Sequence, residues 1–156
     1  MDPLFEFALS VKAVQRELER WINEAMRPLG VTAAQADALL VIGQAQPVSL
    51  KELGELLIAE AGHPSRLVDR LVEASLVERR PAGHDRRQVE LSLTPKGRRL
   101  EKRVMAARDQ VMELGRTTVE DRDLTPALGL LRELLAGTPY AGLIARRREL
   151  LDQPPP

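Results

Sequence analysis

The segment from residue 76 to 97, LVERRPAGHDRRQVELSLTPKG, constrains the fold of this chain more than any other part of it. It holds two short runs typical of β-strands, joined by a loop with turn-forming residues at its base and two adjacent arginines at its tip. On the returning strand Val89, Leu91 and Leu93 alternate with polar residues, which predicts one buried and one solvated face. The segment therefore predicts a β-hairpin with a basic tip, which is typical of a DNA-binding wing and unlike most catalytic sites.

The charge distribution points to the same part of the chain. The whole chain carries 23 basic and 23 acidic side chains. Residues 62–100, however, hold nine basic and five acidic groups, whereas residues 1–61 hold five basic and nine acidic groups. A basic stretch in an otherwise neutral or acidic chain indicates a local anionic partner, although a solvated face without a partner is the alternative for so modest an excess.

Composition excludes several classes of protein. The 156 residues suffice for one domain, and the absence of cysteine excludes disulfides, thiolate nucleophiles and cysteine-ligated metals. No apolar run approaches the roughly 20 residues that cross a bilayer, so we expect a cytoplasmic protein with no membrane partner. The chain has no glycine-rich phosphate loop, and neither His63 nor His84 has a carboxylate at metal-ligand spacing. We therefore predict no catalytic residues, no metal and no cofactor.

Hydrophobic periodicity predicts long helices on both sides of the basic segment. The first begins at Asp2-Pro3 and carries an apolar stripe at alternating spacings of three and four: Leu4, Phe7, Val11, Val14, Leu18, Trp21 and Ala25. Thr94-Pro95 begins a second helix of about 40 Å that ends near Glu120. Such a helix is longer than a small core, so we expect part of it to pack on another helix or subunit. Thr125-Pro126 begins a further helix that ends at Gly137, and residues 140–151 are expected to add one or two amphipathic turns.

Two capping boxes and a turn predict a helix-turn-helix between these long helices. Thr32 with Gln35 and Ser49 with Glu52 each place a hydroxyl three residues before a side chain that can return the hydrogen bond. The sequence GHP at 62–64 then suits a turn into a further helix over residues 65–75.

That last helix is predicted to have one apolar and one polar side. A step of 100° per residue groups the apolar side chains at 67, 68, 71 and 72. The polar side holds His63, Arg66, Asp69, Arg70 and Glu73. Such a face suits contacts with base edges and phosphates. Alternatively its charges pair among themselves at i,i+3 spacing and face water, but the adjoining wing favours the first interpretation.

Together these motifs resemble the MarR family of winged helix-turn-helix transcription regulators. The resemblance rests on RLVDRL at 66–71, LVERR at 76–80, DRR at 85–87 and LSLTPKGRRL at 91–100. It implies a mainly α fold with a small β-wing in a single domain over residues 1–156. Within that domain, residues 31–97 would form the winged helix-turn-helix lobe, and residues 1–30 and 98–151 a helical dimerisation region. The function implied is a sequence-specific repressor that binds double-stranded DNA as a homodimer on a pseudo-palindromic operator.

The resemblance also assigns roles to individual residues. Ser65 and Arg66 correspond to positions on the recognition helix, which lies in the major groove. Arg86 corresponds to the wing arginine that meets the minor groove or its phosphates, and Asp85 to the acidic residue that orients the wing's arginines. The full predicted DNA-binding set is His63, Ser65, Arg66, Arg70, Asp85, Arg86 and Arg87. The chain departs from the family where EAGHP at 60–64 replaces the usual run of small hydroxyl residues.

A small effector is a further implication of the family. In this family such a ligand, often an anionic aromatic, binds between the dimerisation helices and the DNA-binding lobes and changes the lobe spacing. Arg16, Trp21 and Met26 of the first helix are plausible walls of that pocket, although a tryptophan at a heptad position is more typical of core. The ligand-binding residues are otherwise unknown.

Two other functions remain open. A metal-responsive regulator would use His63 and His84 with Glu60 or Asp85, and its DNA binding would be abolished by a chelator. A winged-helix module that binds protein would show weak salt dependence, whereas binding to DNA falls steeply with salt.

Overall fold

A computed structural model describes residues 1–59, 63–82 and 88–152. Within these ranges the chain forms seven α-helices, a short 3-10 helix over Arg27–Leu29, and one three-stranded antiparallel sheet. The helices are α1 (Pro3–Met26), α2 (Ala33–Ala45), α3 (Leu50–Leu56), α4 (Ser65–Glu73), α5 (Pro95–Val119), α6 (Thr125–Leu135) and α7 (Pro139–Leu151). The strands are β1 (Val48–Ser49), β2 (Val77–Pro81) and β3 (Val89–Leu93), in the order β1-β3-β2. The predicted fold class, mainly α with a small β-wing, is confirmed.

Side chains that cap the helices set where several of them begin. Asp2 caps α1, and the capping boxes of Thr32 with Gln35 and of Ser49 with Glu52 both form as predicted. The Glu52 carboxylate accepts hydrogen bonds from the hydroxyl and the backbone N–H of Ser49, and these bonds hold its pKa below the ordinary value. The first helix of the helix-turn-helix, α3, is thus fixed at its start by local chemistry.

The core lies where α2, α3 and α4 meet the sheet and the first half of α5. Its fully buried large side chains include Leu39, Ile42, Leu53, Leu71, Leu91, Leu93 and Val104. Burial of each such side chain contributes about 1.5–3 kcal/mol. This packing fixes α4 and the base of the β2–β3 hairpin to the same body.

The start of α5 is built directly onto the turn that follows α4. The Thr94 hydroxyl donates to the Ser75 carbonyl at 2.7 Å and accepts from the Gly97 N–H at 3.0 Å. A Cβ at Gly97 would lie 2.0 Å from the carbonyl oxygen of Leu76, so no larger residue could approach this closely. The end of α4, the beginning of β2 and the beginning of α5 are therefore held together.

Some predictions at this level were wrong. The helix α4 ends at Glu73 rather than Ser75, because Ser75 adopts a left-handed backbone with φ 58°. The sheet has a third strand, β1, in which Val48 pairs with Leu91 of β3. Val89 was predicted to be buried but is 45% exposed, because it pairs with Pro81 at the end of the hairpin far from the core.

The segment after α6 forms a full helix, α7, rather than the one or two turns expected from the sequence. Its Leu143 is buried, and its Arg147 forms a two-bond ion pair with Asp37 of α2. The predicted second long helix and the helix that Gly137 ends are both observed, as α5 and α6.

Two helix faces of the described chain carry large exposed apolar side chains. On α1 they are Leu4, Phe5, Leu9, Val11, Val14, Leu18 and Trp21, and on α6 they are Leu128, Leu130, Leu131 and Leu134. The inner end of α1 packs on the core through Met26, which is buried. No helix in the described ranges has both the length and the apolar character to span a membrane.

Candidate nucleic-acid interface

The helix α4 turns one side to the core and the other to solvent. Its apolar residues Leu67, Val68 and Leu71 are buried, as the 100° step predicts. The exposed residues at its start and along its outer side are His63, Ser65, Arg66, Asp69, Arg70 and Glu73. The structure thus brings four of the predicted DNA-binding residues, His63, Ser65, Arg66 and Arg70, to one accessible surface.

The N-terminus of α4 offers backbone donors to an anion. Pro64 occupies the N-cap position, and it makes no side-chain capping bond within the part of the chain that the structure describes. The N–H groups of the first helical turn therefore lack a side-chain acceptor there, and the helix dipole adds partial positive charge at the same end. Both features suit a phosphate oxygen.

The charged residues of α4 do not pair among themselves in the described ranges. Asp69 instead forms an ion pair with Arg79 of β2, with 2.5 Å between the carboxylate and guanidinium atoms. Neither the Arg66 nor the Arg70 side chain has an ion pair or a hydrogen bond within residues 1–59, 63–82 and 88–152. The alternative of a self-paired, solvated face is therefore not what is observed, and two guanidinium groups one helical turn apart are left for a partner.

Contacts at the base of the wing fix its position relative to α4. The Asp69–Arg79 ion pair joins α4 to β2, and the Lys96 ammonium at the start of α5 donates to the carbonyl of Ala74, just after the last residue of α4, at 2.8 Å. The hairpin pairs Arg79 with Leu91, in the register that places Leu91 in the core. The helix and the base of the wing therefore form one unit.

The tip of the wing, residues 83–87, lies outside the residues that the structure describes. The hairpin is described as far as Ala82 and again from Gln88, whose carbonyl accepts a hydrogen bond from the Ala82 N–H at 2.8 Å. The predicted wing residues Asp85, Arg86 and Arg87 lie outside the described residues.

A cavity of about 730 Å³ lies between α1, α2, α5 and α7. Its walls are mostly apolar and include Ile22, Met26, Leu40, Val104 and Leu143. It also holds charged side chains, among them Asp37, Arg108 and Arg147. An apolar cavity with a few charged groups is typical of a site for a small organic molecule.

Sequence reasoning identified little of this cavity. Of the three residues considered as pocket walls, Met26 lines the cavity, whereas Arg16 and Trp21 do not. Trp21 is not core either, since it is 36% exposed. Asp37 and Arg147 are 110 residues apart, so no local pattern could have shown that they pair.

Comparisons with known proteins agree with this geometry. A family model described as a winged helix DNA-binding domain matches residues 31–97. The chain is 37% identical over 87 residues to the multiple antibiotic resistance protein MarR of Escherichia coli (strain K12), over 56% of this chain and 60% of that protein. It is 27% identical over 124 residues to the organic hydroperoxide resistance transcriptional regulator of Bacillus subtilis (strain 168), over 79% of this chain and 84% of that protein. The aligned part thus spans less than two thirds of Escherichia coli MarR.

Solved structures resemble the chain over most of its length. A mutant MarR from E. coli complexed with operator DNA matches with a TM-score of 0.75 at 27% identity, over 86% of this chain and 99% of that one. In sequence and in fold the chain therefore resembles regulators of the MarR family. A second matching structure is the transcriptional repressor CouR bound to a 23-mer DNA duplex, with a TM-score of 0.72 at 25% identity, over 87% of this chain and 96% of that one.

The resemblance to MarR-family regulators bears on the rival functions. The matching family model is a DNA-binding domain, and the relatives include a transcriptional regulator and a transcriptional repressor, which agrees with the prediction that the chain is not an enzyme. Within the described ranges no group of three or more histidine or carboxylate side chains could hold a metal ion. Of the residues that a metal-responsive regulator would use, however, only His63 lies within those ranges, so that alternative is not tested.

Proposed function

We propose that this protein is a MarR-family regulator: a sequence-specific, double-stranded DNA-binding repressor that acts as a homodimer on a pseudo-palindromic operator. The observation that carries the proposal is the outer face of α4, where Arg66 and Arg70 are exposed and have no ion pair within the described part of the chain. Cations held on a rigid helix attract phosphates and can also donate to base edges. The DNA-bound structures of E. coli MarR and CouR support this use of the fold.

The proposed contacts divide between the helix and the wing. His63, Ser65, Arg66 and Arg70 approach the major groove from the N-terminal half of α4, where the unpaired backbone donors hold a phosphate. Arg86 and Arg87 of the wing contact the minor groove or its phosphates, and Asp85 orients them. The helix carries most of the sequence readout, because base pairs differ more in the major groove than in the minor groove.

The exposed faces of α1 and α6 supply the proposed dimer contact. Seven large apolar side chains on α1 and four on α6 meet solvent in the single chain, far more than scattered surface residues would give. Residues 1–30 and 98–151 therefore form the dimerisation region, and residues 31–97 form the DNA-binding lobe of each subunit. A two-fold dimer of this kind requires an operator with the same symmetry.

The cavity between α1, α2, α5 and α7 is the proposed site of a small effector that releases DNA. Its apolar walls accommodate a ring, and Arg108, which has no ion pair within the described ranges, is positioned to hold an anionic group. An anionic aromatic molecule matches both features. Because the cavity touches α2 of the lobe as well as α1 and α5, an occupant can change the spacing of the two lobes.

Selection of bound fragments from a random duplex pool tests the proposal. The purified protein is expected to enrich one sequence with two-fold symmetry, and binding to it should weaken steeply as salt rises, because each neutralised phosphate releases counterions. A pool without any enriched sequence would contradict the proposal. Binding that hardly changes with salt would instead favour a protein partner.

A further inference from the structure

We infer that α7 is a latch that joins the DNA-binding lobe to the dimerisation helices, and that Arg147 is the positioning residue that closes it. The inference rests on the proposed function, since a latch of this kind matters only if two lobes must meet DNA together. It concerns a helix whose length and packing the sequence did not reveal.

The Arg147 side chain makes the central contact of the latch. Its two terminal nitrogens donate to the two carboxylate oxygens of Asp37 on α2, at 2.8 and 2.7 Å. The Arg147 side chain is 17% exposed and the Asp37 side chain 34%, which makes this the least exposed ion pair in the described chain. A two-bond pair of an arginine with a carboxylate is directional, and shielding from water makes it stronger than a surface pair.

Neighbouring residues of α7 bind the end of α3. Arg146 donates to the carbonyl of Glu55 at 3.3 Å and lies 3.9 Å from the Glu55 carboxylate. Arg147 also reaches the carbonyl of Leu56, the last residue of α3, at 3.5 Å. These two arginines therefore satisfy carbonyl groups that the end of a helix leaves without partners.

The path of the chain shows what the latch connects. Helix α6, with its exposed leucine face, packs mainly on α7 and joins it through the short turn at Gly137. Helix α7 in turn packs on α2 and α3 of the lobe. Helix α7 thus connects the apolar face of α6, proposed for dimerisation, to the helix-turn-helix. The Arg147–Asp37 pair holds α7 in one orientation on α2.

Breaking the pair should loosen the lobe without touching the DNA-binding surface. Arg147 and Asp37 lie on a different side of the lobe from the outer face of α4, since they line the cavity between α1, α2, α5 and α7. A lobe held less firmly must lose more conformational freedom when it binds DNA, so the affinity falls. Couplings of this kind correspond to roughly a 2- to 30-fold change in affinity.

Spin-label distances between the subunits of the full-length protein test the latch. The chain has no cysteine, so Glu73→Cys at the exposed end of α4 provides one label in each subunit. In this background Arg147→Gln is expected to broaden the distance distribution measured without DNA. In the unlabelled protein the same change is expected to weaken operator binding by roughly 2- to 30-fold. Arg147→Lys, which keeps the charge but cannot form both bonds, should give an intermediate result.

Two further variants separate a latch from a general loss of stability. The exchange Asp37→Arg with Arg147→Asp restores the pair in reverse, and it should recover both the narrow distribution and the affinity. Arg122→Gln, which removes an exposed arginine with no ion pair in the described ranges, should change neither quantity. An Arg147→Gln variant with the wild-type distance distribution and the wild-type affinity would overturn the latch but not the proposed function. A labelled wild-type protein with no distance between subunits would overturn the homodimer itself, and the latch with it.

Discussion

Gly97 lies where the backbone leaves no room for a side chain. A methyl group there would lie 2.0 Å from a backbone oxygen, so either α5 or the turn after α4 would have to move. We expect Gly97→Ala to lower the free energy of unfolding by about 1–3 kcal/mol, the usual cost of overpacking. Urea unfolding followed by circular dichroism measures this difference.

Gly115 of the same helix provides the matched control. Nothing lies within 4 Å of a Cβ built at Gly115, so alanine there only improves the helix propensity. Gly115→Ala should raise the free energy of unfolding by up to about 1 kcal/mol. The two changes in the free energy of unfolding need not be equal in size. A destabilised Gly115→Ala variant together with an unchanged Gly97→Ala variant would contradict the assigned packing.

Glu101 links stability to pH through its position between α5 and α2. Its carboxylate lies against Gly43, and burial raises its pKa above the ordinary value of 4.5, although Arg98 and Lys102 oppose that shift. The folded protein therefore holds this proton more tightly than the unfolded chain, so stability falls as the pH rises from about 4.5 through the raised pKa.

Replacing Glu101 by glutamine should remove this pH dependence. Glu101→Gln is expected to be more stable than wild type at pH 7, because the buried charge is gone, and the advantage should shrink near pH 4, where Glu101 itself is protonated. Thermal unfolding at both values measures the difference, with the exposed Glu149→Gln as control. The same difference at both values, or a less stable variant at pH 7, would show that the assigned cause is wrong.

At the scale of helices and strands, local signals were the reliable ones. Helices α2, α3 and α5 each begin at a capping residue whose side chain bonds a residue only three positions further along the chain. All three starts were predicted. The strand β1 is two residues long and exists only because β3 lies beside it. The helix α7 was underestimated because its buried face includes Arg147, whose partner is remote in sequence.

In the candidate site, too, features set by local sequence were predicted, whereas contacts between different elements were not. The 100° step correctly placed Arg66 and Arg70 on the outer face of α4, because burial of one side of a helix determines where the other side points. The partner of Asp69 could not be predicted, since it comes from a neighbouring strand and not from the helix itself. Because Asp69 pairs with Arg79, the side chains of Arg66 and Arg70 have no ion pair within the described chain.

The helix and the wing should contribute differently to DNA binding. Arg66→Ala on α4 is expected to weaken binding to the selected operator by about 1–3 kcal/mol and to reduce discrimination against random DNA. Arg86→Ala, in the wing beyond the described residues, should cost a similar amount on the operator. Fluorescence anisotropy with labelled duplexes measures both, and Arg122→Ala serves as the charge control. Equal losses of Arg66→Ala on operator and random DNA would reassign that residue to phosphate contact, and an unaffected Arg86→Ala would remove the wing from the mechanism.

At the scale of the whole molecule, the exposed apolar faces of α1 and α6 are the feature that a single chain leaves unexplained. The sequence predicted the stripe on α1 correctly but could not show whether it packs inside the subunit or against another. In the structure Val14 is 66% exposed although it lies in the middle of the stripe, so most of that face is free for a partner chain.

A charge placed in the α1 stripe should separate the subunits. Val14→Glu is expected to weaken dimerisation by roughly 100-fold or more, since an uncompensated buried charge costs about 3–5 kcal/mol. Ala13→Glu adds the same charge to the neighbouring exposed position outside the stripe and should leave the dimer intact. Sedimentation velocity distinguishes the two. A dimeric Val14→Glu protein would place the subunit contact elsewhere.

If two α4 helices meet one face of DNA at the same time, binding must depend on the helical phase of the two half-sites. Half-sites one turn apart, about 10 base pairs, face the same side of the duplex. Inserting about 5 base pairs between the half-sites of the selected operator turns them to opposite sides. We expect the affinity of the dimer for this lengthened operator to fall to that for a single half-site. An unchanged affinity would show that the two α4 helices do not bind one face of DNA together.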